Sequence, residues 1–386
     1  MVAYTFYESD GRVRRYAETL AKRGDQVDVI ALRRTDQKKH EIISGVNIYR
    51  IQKRVINEKI QLSYFLKIMQ FLINSAIFLT KQHLKKPYDL IHVHSVPDFE
   101  VFAALIPKIT GAKIILDIHD IVPEFYANKF NASKNSIAFK ALALVEKASI
   151  AFSNHVIIAN HVWEKTLTNR SVRNGKCSTI LNYPDTSIFN MQQPKMRNDN
   201  KFIIIYPGTL NRHQGVDIAI KAFALIKDEI PEAEFHIYGE GNSKETLLNL
   251  VNELNLGGRV LFKKVLPLNE IAKAMASADL GIVPKRNDSF GSEAFSTKIF
   301  EFMALGVPVI VSDTKIDRYY FDESLVMFFK AGDEEDLARC MLHMIKDKEL
   351  RDSLAKNSLE FIKKYSWDVK KDEYFSLVEN LVKNCH

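Results

Sequence analysis

The sequence predicts an α/β protein of two Rossmann-like domains facing across a cleft. Three observations carry this. The chain has 386 residues, more than one ordinary core holds, and 46% of them are hydrophobic, enough for two. A strand, a glycine-bearing turn, a helix and a strand open it at residues 2–32, and the same pattern restarts at residues 202–226. Between them Gln192–Asn200 is polar and carries a proline, which reads as a linker.

In the first half, Val2–Phe6 reads as a strand and Ser9–Asp10–Gly11 as a turn. The helix Arg12–Arg23 buries Val13, Tyr16, Ala17 and Leu20, and Gly24 stops it before the strand Gln26–Leu32. GxGxxG is absent, so no dinucleotide fingerprint is present. In residues 53–86, Leu62, Phe65, Leu66, Met69, Leu72, Ile73, Ala76 and Ile77 fall at helical spacing between basic flanks. That fits a helix packed on the first sheet, and it also fits an interfacial helix on an anionic membrane, with Arg14, Arg15, Lys53, Arg54, Lys59 and Lys67 as the basic candidates for docking. No apolar run of 18 residues occurs, so no membrane span is expected. Asp89–His94 is a strand, followed by a helix from about Pro97 to Ile109. His92 and His94 share one strand face, but no third ligand stands at useful spacing, so no metal site is expected. Lys113–Ile118 is a strand running into His119–Asp120, at the ligand edge of a parallel sheet. Leu142–Phe152 is helical, and Val156–Ala159 and Ser178–Leu181 are strands.

In the second half, Phe202–Tyr206 is a strand, residues 208–215 a loop between two glycines, and Val216–Ile226 a helix. Glu234–Tyr238 is a strand ending in Gly239–Glu240–Gly241. Val260–Lys264 and Asn269–Ala276 follow. Asp333–Asp336 caps a helix to about Ile345, and Leu350–Phe361 and Val369–Val382 are terminal helices.

Charge is uneven. Residues 1–200 hold 29 Lys and Arg against 18 Asp and Glu, whereas residues 201–386 hold 25 against 29. A basic half points to an anionic partner such as anionic lipid or a phosphorylated substrate. Without aromatic–basic interleaving, nucleic acid is not expected. Cys177, Cys340 and Cys385 have no metal or disulfide spacing, which fits a reducing, cytoplasmic setting. Glu8 and Asp10 leave no room for the apolar core of a signal peptide.

Residues 279–313 hold the densest chemistry. Leu280–Val283 reads as a buried strand ending at Pro284, and a polar loop runs from Lys285 to Glu293. Ser296 offers an N-cap, Ile299, Phe300, Met303 and Ala304 recur at helical spacing, and Gly306 closes the helix. The next strand is Val307–Val311. The amides of Phe295, Ser296, Thr297 and Lys298 are orphan donors at a helix start, an anion site suited to a diphosphate. Glu293 and Glu301, eight residues apart, bracket it, and each can accept from sugar hydroxyls.

Glu293-x7-Glu301, followed by Phe302–Met303–Ala304–Leu305–Gly306–Val307–Pro308–Val309–Ile310, resembles the donor-site signature of family-4 retaining glycosyltransferases of the GT-B fold. The resemblance implies that Glu293 touches the transferred sugar and that Glu301 holds the nucleotide ribose. Residues 10–18 resemble the family's first loop and helix, where Gly11 would let the backbone approach donor phosphates or acceptor. Asp117-x-His119-Asp120 resembles the segment whose histidine lies beside the donor sugar. The loop from Gly208 to Gly215 resembles the diphosphate loop, which usually reads Gly-Arg-Leu…Lys-Gly. Here Thr209 and Gln214 stand where Arg and Lys are usual, so either Arg212 or Lys298 supplies the charge or the phosphate contacts are neutral. Gly239 falls at the nucleotide-base loop. The likeness covers nearly the whole chain and implies an acceptor domain at 1–190, a donor domain at 191–365, and a helix at 366–386 crossing back onto the first.

The implied reaction is transfer of a sugar, with retention, from a UDP- or GDP-linked donor to a glycan acceptor. The acceptor is expected to be lipid-linked, in cell-surface polysaccharide synthesis at the cytoplasmic face of an anionic membrane. Front-side attack is implied, with the donor phosphate taking the acceptor proton. Nothing resembles an Asp-x-Asp metal site, so neither metal nor other cofactor is expected. Two alternatives stand beside it. A GT-B epimerase would use His119 and Glu293 as an acid/base pair at the sugar. The missing Arg and Lys would fit an inactive binding subunit of an assembly complex.

Overall fold

Short runs of Val, Ile and Leu, too apolar to alternate, form parallel strands covered on both faces. The computed structural model describes residues 1–54, 61–130, 132–173, 175–191 and 200–383. These divide into two units, Met1–Asn182 with Lys371–His386, and Tyr183–Lys370. The linker read at 192–200 lies, apart from Asn200, outside the described residues, as do Lys59 and Cys385.

The first unit carries β1 (Val2–Ala3), β2 (Asp28–Arg33), β3 (His40–Ile43), β4 (Val46–Lys53), β5 (Leu90–His94), β6 (Lys113–Ile118), β7 (His155–Ile158) and β8 (Cys177–Thr179). They form one sheet in the order β3-β4-β2-β1-β5-β6-β7-β8, parallel except for the antiparallel β3. The hairpin β3–β4, absent from the sequence reading, turns at Ser44–Gly45, both at positive φ (52° and 80°). Chain order reverses between β1 and β5, which opens a crevice at the carboxyl ends of those strands. The helix expected at about 97–109 is instead a 3₁₀ helix, Asp98–Ala104, leading into the short α-helix Leu105–Ile109.

The helix Gln61–Lys85 bears on two expectations, the absence of a span and the choice between a packed and an interfacial helix. Its segment Ser63–Lys85 is, by length and composition, apolar enough to cross a bilayer. Its buried stripe is Ile68, Phe71, Ser75, Leu79 and His83, while Phe65, Leu66, Ile73 and Ile77 are at least half exposed. Polar Ser75 and His83 thus take inward places, with His83 bonding Thr110 Oγ1 at 2.8 Å, and bulky apolar groups stay outside.

The second unit carries β9 (Phe202–Pro207), β10 (Ala233–Tyr238), β11 (Val260–Lys263), β12 (Leu280–Val283), β13 (Val309–Ser312) and β14 (Met327–Phe329), all parallel, in the order β11-β10-β9-β12-β13-β14. Here the reversal lies between β9 and β12, so the loops after those two strands meet at the switch point. Its core gathers Ile204, Phe223, Phe235, Ile282, Ile310 and Met341. Gly281 matters to the site: a Cβ there would strike the Phe302 ring, so only glycine lets the helix Thr297–Ala304 lie this close to β12.

Candidate active site

In the first unit, parallel pairing sets His94 of β5 beside Asp117 of β6. Asp117 is fully buried, and Arg12, from the first turn of the helix Gly11–Arg23, grips both its oxygens at 2.7 and 2.8 Å. His119, one residue past β6, places Nε2 3.1 Å from Asp117 Oδ2 and 3.2 Å from His94 Nδ1. His94 Nδ1 is also 3.2 Å from Asp117 Oδ2. His92 bonds the hydroxyl of Tyr374, a residue of the last helix that belongs to this unit, at 2.9 Å.

The electrostatics follow from burial. Burial works against an ionised Asp117, yet Arg12 and then His119 outweigh it and hold the carboxyl well below the usual range. Burial keeps His92 and His94 neutral, with His92 adding to the effect on His94. Burial raises Asp120 against the pull of His119, and pushes Asp98 up to about 7. The network therefore fixes one imidazole, partly exposed His119, on a buried carboxylate.

His92, His94 and Asp117 also bring ligand atoms within 4.8 Å of one another, so the third residue missing from the sequence spacing comes from the neighbouring strand. A bidentate guanidinium already occupies that carboxylate, which makes a poor seat for a cation. Gly11 starts the helix in open space, and the Asp10 carboxylate before it caps the amides of Arg12 and Val13.

In the second unit the loops after β9 and β12 converge. Lys298, in the first turn of its helix, reaches back so that a Cβ on Gly208 would collide with its side chain, and its ammonium lies 5.5 Å from the Tyr206 ring centre. Burial, with help from Lys285, lowers Lys298 to about 8 despite nearby Glu301. Gly239 closes on the carbonyl of Gly208, which locks the β10 loop to the β9 loop. Gln214 is spent inside its own loop, accepting from the Tyr206 hydroxyl at 3.2 Å and contacting His213. Thr209 is exposed and gives its carbonyl to the same hydroxyl. Arg212 is exposed as well, with its carbonyl bound by Arg286 Nε at 3.1 Å.

The helix start is open. Ser296 takes the N-cap place but makes no side-chain capping bond, and among the described residues its buried Oγ has no hydrogen-bond partner. Phe295 turns its ring into Phe300 and Tyr320, leaving its amide rather than its side chain for a ligand. Thr297 and Glu301 are half buried on that helix. Glu293 pairs with Lys315 at 2.7 Å. Orphaned donors beside a cation fit an anion, and the two carboxylates beside them fit a polyhydroxyl group.

The structure thus brings Gly208, Thr209, Gln214, Gly239, Phe295, Ser296, Thr297, Lys298, Glu293 and Glu301 to one edge of the second unit. Gly11 and His119 lie at the corresponding edge of the first. Sequence reasoning missed Arg12, Lys285 and Asp317. Each is charged yet nearly buried, and each finds its partner on another element, so no local spacing announces it.

Residues 12–187 match the Glycosyltransferase Family 4 domain, and residues 187–361 match the Glycosyl transferases group 1 domain. The sulfoquinovosyl transferase SQD2 of Arabidopsis thaliana is 26% identical over 375 residues, 92% of this chain and 67% of that protein. The O-antigen biosynthesis glycosyltransferase WclY of Escherichia coli is 26% identical over 263 residues, 64% of this chain and 67% of its own. Among solved structures, Anabaena HepE in complex with UDP and glucose superposes with a TM-score of 0.73 at 16% identity, covering 97% of this chain and 98% of that one. With both halves matched, the chain belongs to the family-4 glycosyltransferases of the GT-B fold.

Proposed function

We propose that this glycosyltransferase moves a sugar, with retention and without a metal, from a UDP- or GDP-linked donor to a lipid-linked glycan in cell-surface polysaccharide synthesis. The observation that carries the donor reading is the uncapped helix start, where Ser296 Oγ, near Lys298 in the chain, is buried without a partner among the described residues. A diphosphate there meets amides, a hydroxyl and an ammonium, and developing charge on the leaving phosphate is stabilised by groups already in place. Glu301 takes the ribose, Glu293 the sugar, and Lys298 supplies charge that Thr209 and Gln214 lack. His119, its ring held by Asp117, keeps the sugar-side role that the family resemblance implies. The acceptor attacks from the side that the nucleotide leaves, and the donor phosphate takes its proton. HepE, seen with UDP and glucose, and WclY, named for O-antigen biosynthesis, support the donor and product classes.

The membrane part of the proposal rests on the helix Gln61–Lys85. Its outer Phe65, Leu66, Ile73 and Ile77, with exposed Lys81 and Lys85, make an apolar–basic face suited to a cytoplasmic anionic leaflet. Arg14 and Arg15, basic candidates from the sequence, are engaged by Glu18 and Asn182 instead.

A thermal-shift panel of UDP- and GDP-sugars tests the donor reading, since a ligand of the native state raises Tm. One class should stand out, and its product should keep the donor's anomeric configuration by NMR, with EDTA present. Inversion, or a strict need for a divalent ion, would remove the mechanism. Co-sedimentation with liposomes should require anionic lipid and fade with salt. Indifference to lipid charge would favour a soluble acceptor.

A further inference from the structure

Lys285 stands two residues past the end of β12, after Pro284, at the switch point and is 4% exposed. Its ammonium lies 3.0 Å from Asp317 Oδ2, 2.8 Å from Ala294 O and 3.4 Å from Gly291 O. Asp317 is fully buried in the helix Lys315–Tyr320, which follows β13, and accepts from Thr314 Oγ1 at 2.7 Å. One lysine therefore joins two carbonyls of one loop to a carboxylate on the segment after the next strand. An ammonium has three donors and no acceptor, which matches three oxygens from three directions.

The two carbonyls flank Glu293. Other bonds run the same way. Ile316 N donates to Ser292 O at 2.9 Å, Ser312 Oγ donates to Lys285 O at 2.7 Å, and Lys315 pairs with Glu293 from the surface. Asp288 Oδ1 closes the loop by accepting from the amides of Phe290 and Gly291 at 3.1 and 2.7 Å. Burying a charge pair costs desolvation that an apolar pair avoids, so it stands here for what it orders rather than for stability.

We infer that the Lys285–Asp317 pair is an internal staple that sets the loop Asp288–Ala294 and so aims Glu293 at the donor sugar. Both are positioning residues that act through Glu293 and touch no substrate. Aiming a sugar contact rests on the proposed donor reading, whereas the ordering of the loop does not.

Hydrogen exchange on the full chain, without nucleotide, separates the two. In Lys285→Met, peptides covering 286–296 should exchange at least tenfold faster, while peptides covering β9 keep the wild-type rate. Asp317→Asn keeps an acceptor oxygen and should fall between. Transfer, measured with the donor selected by the nucleotide-sugar panel, should lose at least thirtyfold in kcat in Lys285→Met. Kd for the matching nucleoside diphosphate should stay within threefold, and Asp317→Asn should recover much of the kcat. Should Lys285→Met not fold, the double variant K285M/D317L leaves no lone buried charge and carries the same measurements. Loop exchange within twofold of wild type overturns the staple. Faster exchange with kcat within threefold of wild type overturns its positioning role. If the wild type turns over no nucleotide sugar, the donor reading fails while the exchange result still decides the staple.

Discussion

At the carboxyl edge of the first unit, the strong charge is already answered. Arg12 spans both oxygens of Asp117, and His119 and His94 lean on the same carboxylate. At the same edge of the second unit, donors wait. Ser296 Oγ is buried and has no partner among the described residues, the helix start is uncapped, and Lys298 is held at about 8 by burial beside Lys285. Both sheets are essentially parallel and both edges lie at a reversal of strand order. One nevertheless fixes a single ring, and the other leaves donors that fit an anion. Changes in the first should therefore strike stability and turnover, and changes among the anion-facing groups of the second should strike nucleotide affinity, with Glu293, assigned to the sugar, grouped with His119.

The largest expected effect lies in the closed network. Asp117→Ala leaves Arg12 buried and unpaired, a loss of about 3–5 kcal/mol in denaturant unfolding. A loss near zero would mean that the network holds nothing.

Next, His119→Ala and Glu293→Ala should each lower turnover by about 10²–10³-fold, the cost of removing one aimed polar group from a transition state. Nucleoside diphosphate affinity should barely move. Equal losses in both quantities would blur the contrast between a positioned ring and an open binding edge.

Glu301→Ala should weaken nucleoside diphosphate binding by roughly 1.5–3 kcal/mol, as for a hydrogen bond to a charged group, with unfolding unchanged. Calorimetry at constant salt reads it, and unaltered affinity would take Glu301 out of the site.

The smallest effect follows pH. Lys298 falls from 10.5 to about 8 in the folded chain, with burial the main cause. Below pH 8 the ammonium is present for a diphosphate, and above it affinity should fall by up to about tenfold per unit. Stability runs the other way. The unfolded chain binds the extra proton between pH 8 and 10.5, so this lysine's burden on folding eases across that window. Lys298→Met should flatten both curves, and an unchanged pH profile of binding would place the diphosphate elsewhere.

Much of the second unit was readable because its chemistry is local. Glu293, Ser296 and Glu301 sit within one turn and one helix, and strand–loop–helix order alone puts them at the ligand edge. His119 was readable for the same reason, as the residue that ends a strand. Arg12 and Asp117 are 105 residues apart and Lys285 and Asp317 are 32 apart, so their pairing depends on strand order that no window reveals. In the helix Gln61–Lys85 the periodicity was legible but which face is buried was not. Ser75 and His83 turn inward for contacts specific to this sheet, and hydrophobicity alone cannot foresee that.

The contrast between the two edges comes down to one assay: release of nucleoside diphosphate from nucleotide sugars by wild type, His119→Ala and Glu293→Ala, with lipid-linked acceptor and EDTA present. Release by the wild type that survives the chelator and nearly vanishes in both variants is the expected result. Tight binding of a nucleotide sugar with no release, or its conversion to an epimer, would contradict glycosyl transfer at these residues.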